Sequence, residues 1–256
     1  MKKWLQFRYK EDAMLGVLDG EQIHIYSGEL FNDPQPVGET VSIEEVEILP
    51  PCQPGKMLGL WNNFYSRAEH EGWEIPPEPL YFSKTPNSFS THQQPIRRPA
   101  LYNGPINFEG ELGIVIGKSC KRISERQAEE YIFGYTCVND VTAKDILFRD
   151  ASFPQWTRAK GCDSFGVFGP VIATGLDPEH LVVRAYLDGE LLQEYPVTDM
   201  VFRPQQLVSL ISLDMTLDPG DIIACGTALG ATEMVDGQTI EIRIEGIGVL
   251  GNRMVG

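Results

Sequence analysis

Apolar and polar residues alternate with a period of two along much of the chain, and this pattern predicts a fold built mainly from β-strands. The alternation is clearest in residues 239–246, TIEIRIEG, where isoleucines alternate with charged residues. Asp19-Gly20 and Asp188-Gly189 each separate two such segments, and an Asp-Gly dipeptide in this position indicates a β-hairpin. Residues 218–227, DPGDIIACGT, predict a turn followed by a buried strand.

Helical spacing of apolar residues is confined to a few short segments. Residues 124–127, SERQ, fit a capping box and predict a helix that begins there and ends at Gly134. A second helix is predicted for Pro204–Leu213, and residues 65–79 are predicted to be part helix and part proline-rich loop. The sequence therefore predicts a mixed, β-dominated fold of the α+β class with few short helices.

A proline-rich segment, LPPCQPG at residues 49–55, is a candidate boundary within the chain. Residues 1–50 before it read as short strands and predict a small N-terminal β domain. Residues 55–256 after it predict the main, catalytic domain. The length of 256 residues suits one sizeable domain with a small appendage.

The composition is that of an ordinary globular protein, with 42% hydrophobic and 22% charged residues. A net charge of −15 argues against a nucleic-acid partner, because binding to phosphates requires a basic surface. No apolar run is long enough to span a membrane, so we expect no membrane partner. The five cysteines are dispersed without CxxC spacing, and the N-terminal residues lack the apolar segment of a signal peptide, so we expect reduced thiols and a cytoplasmic location.

In residues 107–118, NFEGELGIVIGK, two glutamates directly precede a run of apolar residues. On a strand, Glu109 and Glu111 share one face at roughly 7 Å from each other. Carboxylates this close to a core repel unless a cation lies between them or one is protonated. Hard divalent ions such as Mg²⁺ and Mn²⁺ prefer such oxygen ligands. Taken alone, the pattern also fits a solvated strand face with two surface glutamates.

Two further segments place charged residues beside apolar strands. In residues 133–145, FGYTCVNDVTAKD, a buried strand is predicted to end at Asn139-Asp140. Residues 158–170, RAKGCDSFGVFGP, carry Lys160 and Asp163 in a glycine-rich loop. Each segment alone fits a solvated loop, but together with the two glutamates they supply the groups of a metal and substrate site.

These segments, followed by MTLDPGDIIACGTALG (residues 215–230) and IEIRIEGIGVLGNRMV (residues 240–255), occur in an order and at a spacing that resemble the fumarylacetoacetate hydrolase family in its short bacterial form. The resemblance covers roughly residues 55–256. Within the family, the chain is similar to 2-hydroxyhepta-2,4-diene-1,7-dioate isomerase and 5-oxopent-3-ene-1,2,5-tricarboxylate decarboxylase members. Members of the family have a β-roll fold and usually form homodimers, so the resemblance implies a β-roll fold and a homodimer for this protein.

The resemblance also implies a Mg²⁺ or Mn²⁺ site and roles for individual residues. The implied metal ligands are Glu109, Glu111 and Asp140. Lys160 corresponds to a lysine that reaches the substrate near the metal, and Asp163 to a support of that loop. Thr227 corresponds to a threonine that holds the substrate carboxylate, although the family proline that follows it is replaced here by Ala228.

The segment of residues 59–89 departs from the family pattern. Hydrolysing and decarboxylating members often carry a histidine, and a glutamate three residues later, on a lid helix that activates water. An ungapped match places Arg67 at the histidine position and His70 at the glutamate position. Glu69 and His70 could rebuild a catalytic pair, although neighbours on a helix point about 100° apart. Alternatively, His70 is a solvated helix residue.

Arg67 could instead bind a second substrate carboxylate, which would suit a dicarboxylate. Lys84 and Lys144 are further candidates for that role, and each also fits an ordinary surface lysine. Without the water-activating pair, the resemblance favours a decarboxylase or isomerase of unsaturated 2-oxo dicarboxylates in the breakdown of aromatic compounds. The alternatives are a C–C bond hydrolase of acylpyruvate-like 2,4-dioxo acids and a catalytically silent metal-binding relative. In each enzymatic case the expected partner is a small anionic 2-oxo acid.

Overall fold

The computed structural model describes residues 1–256 and contains nineteen β-strands and five short α-helices. The strands are β1 (Lys2–Tyr9), β2 (Asp12–Asp19), β3 (Gln22–Ser27), β4 (Gln35–Ser42), β5 (Glu47–Leu49), β6 (Met57–Trp61), β7 (Leu80–Lys84), β8 (Phe89–Ser90), β9 (Ile96–Arg97), β10 (Ile106–Asn107), β11 (Gly110–Ile116), β12 (Ile132–Asp140), β13 (Thr142–Ala143), β14 (Gly166–Thr174), β15 (Val182–Leu187), β16 (Glu190–Pro196), β17 (Ile222–Ala224), β18 (Thr239–Ile244) and β19 (Gly248–Val255). The helices are α1 (Tyr65–Glu71), α2 (Glu125–Ala128), α3 (Lys144–Leu147), α4 (Trp156–Lys160) and α5 (Pro204–Asp214).

Most strands belong to two sheets. The large sheet has the strand order β4-β3-β2-β1-β14-β12-β11-β17-β6-β7, with β5 beside β1 and β8 beside β14. The second sheet has the order β16-β15-β18-β19-β9, and β10 and β13 form a separate pair. This arrangement confirms the predicted β-dominated fold class.

The predicted hairpins are present, and their turns explain the Asp-Gly signals. Asp188 (φ 49°) and Gly189 (φ 84°) both adopt the left-handed conformation that a two-residue hairpin turn requires. Between β2 and β3 the two turn residues are Gly20, at φ 60°, and Glu21, because Asp19 is the last residue of β2 and pairs with Gln22. Residues 239–244 of the alternating segment form β18 with alternate burial, as predicted.

The N-terminal strands continue the large sheet, because β1 pairs antiparallel with β14 from Lys2 opposite Thr174 to Trp4 opposite Ile172. An apolar cluster that includes Trp4, Leu15, Phe168 and Ile172 lies between these strands and the main part of the chain. The division into residues 1–50 and 55–256 as separate domains stays a prediction.

The helices are short, and one predicted boundary is wrong. Helix α5 matches the prediction closely, and α1 with the loop after it matches the mixed segment. Ser124 does cap α2, but the helix ends at Ala128 and a strand already contains Gly134. A glycine is needed at this point of β12 because a Cβ would collide with the carbonyl oxygen of Ala173. None of the five helices is long and apolar enough to cross a membrane.

Strand β11 is buried along its whole length, since it lies in the middle of the large sheet and is covered on both faces. Its partner β12 is also buried from Gly134 to Asp140. Carboxylates at the ends of these two strands are therefore inside the protein, where a charge without a partner is costly.

Candidate active site

Three carboxylates meet where β11 begins and β12 ends. Glu109 directly precedes β11, Glu111 is its second residue, and Asp140 is the last residue of β12. The antiparallel register places Gly110 opposite Asn139, and the Asp140 N–H donates to the Glu109 carbonyl at 2.9 Å. One oxygen from each carboxylate lies within 4.8 Å of the others. Adjacent antiparallel strands therefore bring the three predicted metal ligands together.

Two buried lysines face this carboxylate cluster. Lys160, at the end of α4, donates to Glu109 Oε2 at 2.6 Å and to Asp140 Oδ2 at 2.5 Å. Lys84, at the end of β7, is fully buried and donates to Asp140 Oδ1 at 2.5 Å. Burial by itself raises the pKa of Asp140, but Lys160 and Lys84 outweigh it and hold the pKa below the usual value. Asp140 is therefore ionised in the folded protein.

Glu111 has no such cation. Its side chain is buried and accepts a hydrogen bond from the Gly226 N–H at 2.8 Å. Burial, and then the negative charges of Asp140 and Glu109, raise its pKa well above the usual value. Three carboxylates with one left uncompensated form an oxygen donor set that fits a hard divalent ion such as Mg²⁺ or Mn²⁺. Binding of a cation would remove the repulsion that Glu111 experiences.

Gly110, between the two glutamates, is held through its backbone by side chains of the second sheet and a nearby loop. Its N–H donates to Gln193 Oε1 at 3.0 Å, and its carbonyl accepts from Thr227 Oγ1 at 2.9 Å and from the Tyr195 hydroxyl. Gln193 Nε2 also donates to Thr227 Oγ1 at 2.9 Å. A Cβ at Gly110 would lie 2.9 Å from Ile242 Cδ1, so a larger residue would require the isoleucine side chain to shift. The strand start that carries both glutamates is thus fixed from two sides.

Thr227 lies beside the carboxylate cluster, as the resemblance implied. Its hydroxyl donates to Gly110 and accepts from Gln193 in this structure. Its carbonyl accepts a hydrogen bond from Arg67 Nη1 at 3.3 Å, which links helix α1 to the site. Binding of a substrate carboxylate by Thr227 stays a prediction.

The structure does not bring every predicted residue to the cluster. Glu69 is exposed, and the side chain of His70 is 67% exposed and lies 3.9 Å from Glu71 at the end of α1. Asp163 is exposed and accepts a hydrogen bond from Asn87 at 2.7 Å, which supports the loop after Lys160. Neither Glu69 nor His70 makes a hydrogen bond to another site residue, so their predicted catalytic roles receive no support from these contacts.

Sequence reasoning missed Gln193, Tyr195 and Gly226. The first two lie on the inward face of β16, while Glu194 between them points to solvent. A glutamine at an inward position of an alternating strand was a usable signal, because a buried amide requires specific partners.

Comparison with known proteins identifies the family. The sequence pattern of the "Fumarylacetoacetate (FAA) hydrolase C-terminal" family matches residues 56–255, and that of "Rv2993c-like, N-terminal" matches residues 2–51. The chain belongs to the fumarylacetoacetate hydrolase family. The resemblance that the sequence motifs indicated is confirmed.

Relatives within the fumarylacetoacetate hydrolase family have several activities. A 4-hydroxyphenylacetate degradation bifunctional isomerase/decarboxylase from Salmonella dublin is 37% identical over 204 residues, 78% of this chain and 47% of that protein. The oxaloacetate tautomerase YisK from Bacillus subtilis (strain 168) is 35% identical over 227 residues, 83% of this chain and 74% of that protein. A crystal structure of 2-hydroxyhepta-2,4-diene-1,7-dioate isomerase from Mycobacterium marinum matches with a TM-score of 0.91 and 34% identity, and the match covers 100% of this chain and 98% of that one.

Proposed function

We propose that the protein is a divalent-metal-dependent enzyme that acts on unsaturated 2-oxo or 2-hydroxy-diene dicarboxylic acids by decarboxylation or isomerisation. The observation that carries the proposal is the carboxylate cluster of Glu109, Glu111 and Asp140 with the ammonium group of Lys160 in contact with it. Both reactions pass through an enolate, which requires positive charge close to the oxygen that becomes negative. Breakdown of aromatic compounds is the proposed context, since the Salmonella relative acts in 4-hydroxyphenylacetate degradation.

The three carboxylates would hold Mg²⁺ or Mn²⁺, and the bound ion would act as a Lewis acid toward the 2-oxo acid end of the substrate. Lys160 adds a fixed positive charge. Burial lowers its pKa, but Asp140 and Glu109 outweigh burial and hold the pKa above the usual value. Lys160 therefore stays protonated and stabilises an anion as it forms, rather than acting as a base.

The absence of the family's water-activating histidine and glutamate supports decarboxylation or isomerisation over hydrolysis. Arg67 occupies the place of the family histidine, and Glu69 and His70 are exposed at the far end of α1. An arginine is always protonated and cannot take a proton from water. The isomerase/decarboxylase and tautomerase activities of the two curated relatives also proceed without net hydrolysis.

Hydrolysis of acylpyruvate-like 2,4-dioxo acids is the second candidate, favoured by the family name. A silent metal-binding relative is the third, and the intact carboxylate cluster with Lys160 argues against it. A homodimer, a cytoplasmic location and the absence of nucleic-acid and membrane partners stay predictions.

An activity screen tests the proposal. Purified protein with Mg²⁺ or Mn²⁺ is assayed on oxaloacetate, an acylpyruvate and a 2-hydroxy-diene-dioate, each with an EDTA control and with the Lys160→Ala variant. Turnover of oxaloacetate or the diene-dioate, lost with EDTA, is the expected result. Turnover of the acylpyruvate instead would show a hydrolase, and the absence of metal-dependent turnover on all three would favour the silent relative.

A further inference from the structure

We propose that Arg67 and a row of aromatic rings between it and Lys160 form the site for the far carboxylate of a planar, doubly charged substrate. The rings are those of Trp61, Trp73, Trp156 and Phe82, and they are called the aromatic wall below. The role of Arg67 rests on the proposed function, because the near end of the same substrate is assigned to the carboxylate cluster.

Arg67 is a half-buried cation without an acidic partner. The chain has 36 acidic and 21 basic residues, yet none of the ion pairs in the structure includes Arg67. One N–H of its guanidinium group donates to the Thr227 carbonyl at 3.3 Å. An arginine carries five N–H donors, so most of them are free to bind a carboxylate.

Aromatic faces hold the guanidinium group in place. It lies 5.9 Å from the ring centre of Trp61 and 5.6 Å from that of Trp73, and these two rings are 4.5 Å apart. Cation–π contact with these two neighbouring rings limits the orientations that the arginine side chain can adopt. Arg67 is therefore pre-organised, which reduces the entropy cost of binding an anion.

The aromatic wall continues from Arg67 to the carboxylate cluster. Trp61 contacts Trp156 at 5.2 Å, Trp156 stacks on Phe82 at 4.8 Å, and Lys160 Nζ lies 5.1 Å from the Phe82 ring centre. Three of the four tryptophans of the protein belong to this wall, and all three are partly exposed. A planar conjugated chain would gain stacking contacts along such a surface.

The charges at the site indicate the charge of the ligand. The three carboxylates are balanced by Lys160, Lys84 and Arg67, so a divalent ion would leave a net charge of two positive. A substrate with two carboxylates neutralises this charge, whereas a monocarboxylate leaves one positive charge uncompensated in a partly buried site. Without Arg67 the metal-loaded site would carry one positive charge, which a single carboxylate neutralises. The arginine thus sets the preference for a dicarboxylate.

Paired ligands that differ only in the far carboxylate test this role. Calorimetric titration of the Mg²⁺-loaded protein would compare 2-oxoadipate with 2-oxohexanoate and 2-oxoglutarate with 2-oxopentanoate, with tryptophan fluorescence as a second readout. We expect the wild type to bind one or both diacids at least about tenfold more tightly than the matching monoacid, the effect expected of charge-assisted hydrogen bonds. Arg67→Gln is expected to lose the preference while its affinity for the monoacids changes less than about threefold.

The controls separate a specific site from a general effect of charge. Arg158→Gln removes an exposed arginine from α4 and is expected to keep the preference, and Arg67→Lys is expected to restore part of it. If the wild type binds each diacid and its matching monoacid with equal affinity, the role of Arg67 is overturned but the proposed function is not. A preference that survives in Arg67→Gln or disappears in Arg158→Gln would have the same consequence. Failure of all four acids to bind the wild type would overturn the proposed function as well.

Discussion

Gln193 accepts a hydrogen bond from the backbone N–H of Gly110 at 3.0 Å, and Gly110 is the residue between the two glutamates of the carboxylate cluster. The same amide group donates to Thr227 Oγ1 at 2.9 Å. One side chain of the second sheet therefore fixes both the start of β11 and the loop that contacts Glu111 through Gly226. Gln193 contacts none of the three carboxylates in its hydrogen bonds, so it acts on them through the backbone.

Replacing Gln193 by methionine is expected to weaken metal binding. The change keeps the side-chain length but leaves the buried Gly110 N–H without an acceptor, which costs about 1–3 kcal/mol. We expect a lower affinity for Mn²⁺ by calorimetry together with a lower melting temperature. Gln22→Met, at an exposed position of β3, is the matched control and should change neither quantity. Unchanged Mn²⁺ affinity in Gln193→Met would contradict the positioning role.

Glu111→Gln is expected to abolish tight metal binding without unfolding the protein. The glutamine has the same shape and can still accept the hydrogen bond from the Gly226 N–H. It also removes a buried carboxylate that the charges of Asp140 and Glu109 repel. Changes even outside the direct ligands of a metal reduce affinity by roughly 10–100-fold, so loss of a ligand should reduce it by about 100-fold or more. Calorimetry and thermal unfolding measure the two effects. Exposed Glu245→Gln serves as control, and normal metal affinity in Glu111→Gln would remove Glu111 from the ligand set.

Metal affinity is expected to rise with pH. Because burial and two neighbouring carboxylates raise the pKa of Glu111, this group is protonated over part of the pH range in the metal-free protein. Metal binding needs the carboxylate, so it must release the proton below that pKa and release none above it. Calorimetry in buffers of different ionisation enthalpy would detect the released proton. Affinity and proton release that are independent of pH between about 5 and 8 would contradict the ionisation of Glu111 on binding.

Lys160→Met is expected to lower both activity and stability. Loss of the positive charge at the developing enolate should reduce turnover by about 10²–10³-fold, as for other preorganised donors. The buried Asp140 and the partly buried Glu109 also lose a cation, which should destabilise the metal-free protein by about 3 kcal/mol.

A divalent ion should reverse the loss of stability in Lys160→Met but not the loss of turnover. Denaturant unfolding with and without Mg²⁺, beside a turnover assay, distinguishes the two effects. Lys118→Met, at an exposed position, is the control. A fully active Lys160→Met enzyme would exclude the proposed role of Lys160 in catalysis.

The strands and the carboxylate cluster were predictable because local signals specify them. Alternation and Asp-Gly turns gave the hairpins, and Glu109 and Glu111 precede an apolar run that had to be buried. The helix after Ser124 was predicted too long, because Gly134 is not a helix end but a residue of β12 that lies close to Ala173. That contact joins distant parts of the chain and leaves no local pattern.

The partners of the cluster were harder to predict for the same reason. Lys84 looked like an ordinary surface lysine or a substrate ligand, but it is fully buried and pairs with Asp140, 56 positions away in the sequence. Gln193 and Tyr195 come from another sheet, and the sequence alone does not state which sheets meet. Their inward positions on β16 indicated burial, but not the identity of what they touch.

The pairing of β1 with β14 has a consequence for truncated forms of the protein. Removal of residues 1–51 would leave the last three residues of β14, Ile172–Thr174, without the partner strand to which their N–H and C=O groups bond, and would uncover the apolar side chains that face Trp4. A free strand edge beside exposed apolar surface is a template for pairing with other chains. The N-terminal strands therefore protect the large sheet against aggregation. The edge that they cover is the side of β14 that faces away from β12, the strand that carries Asp140.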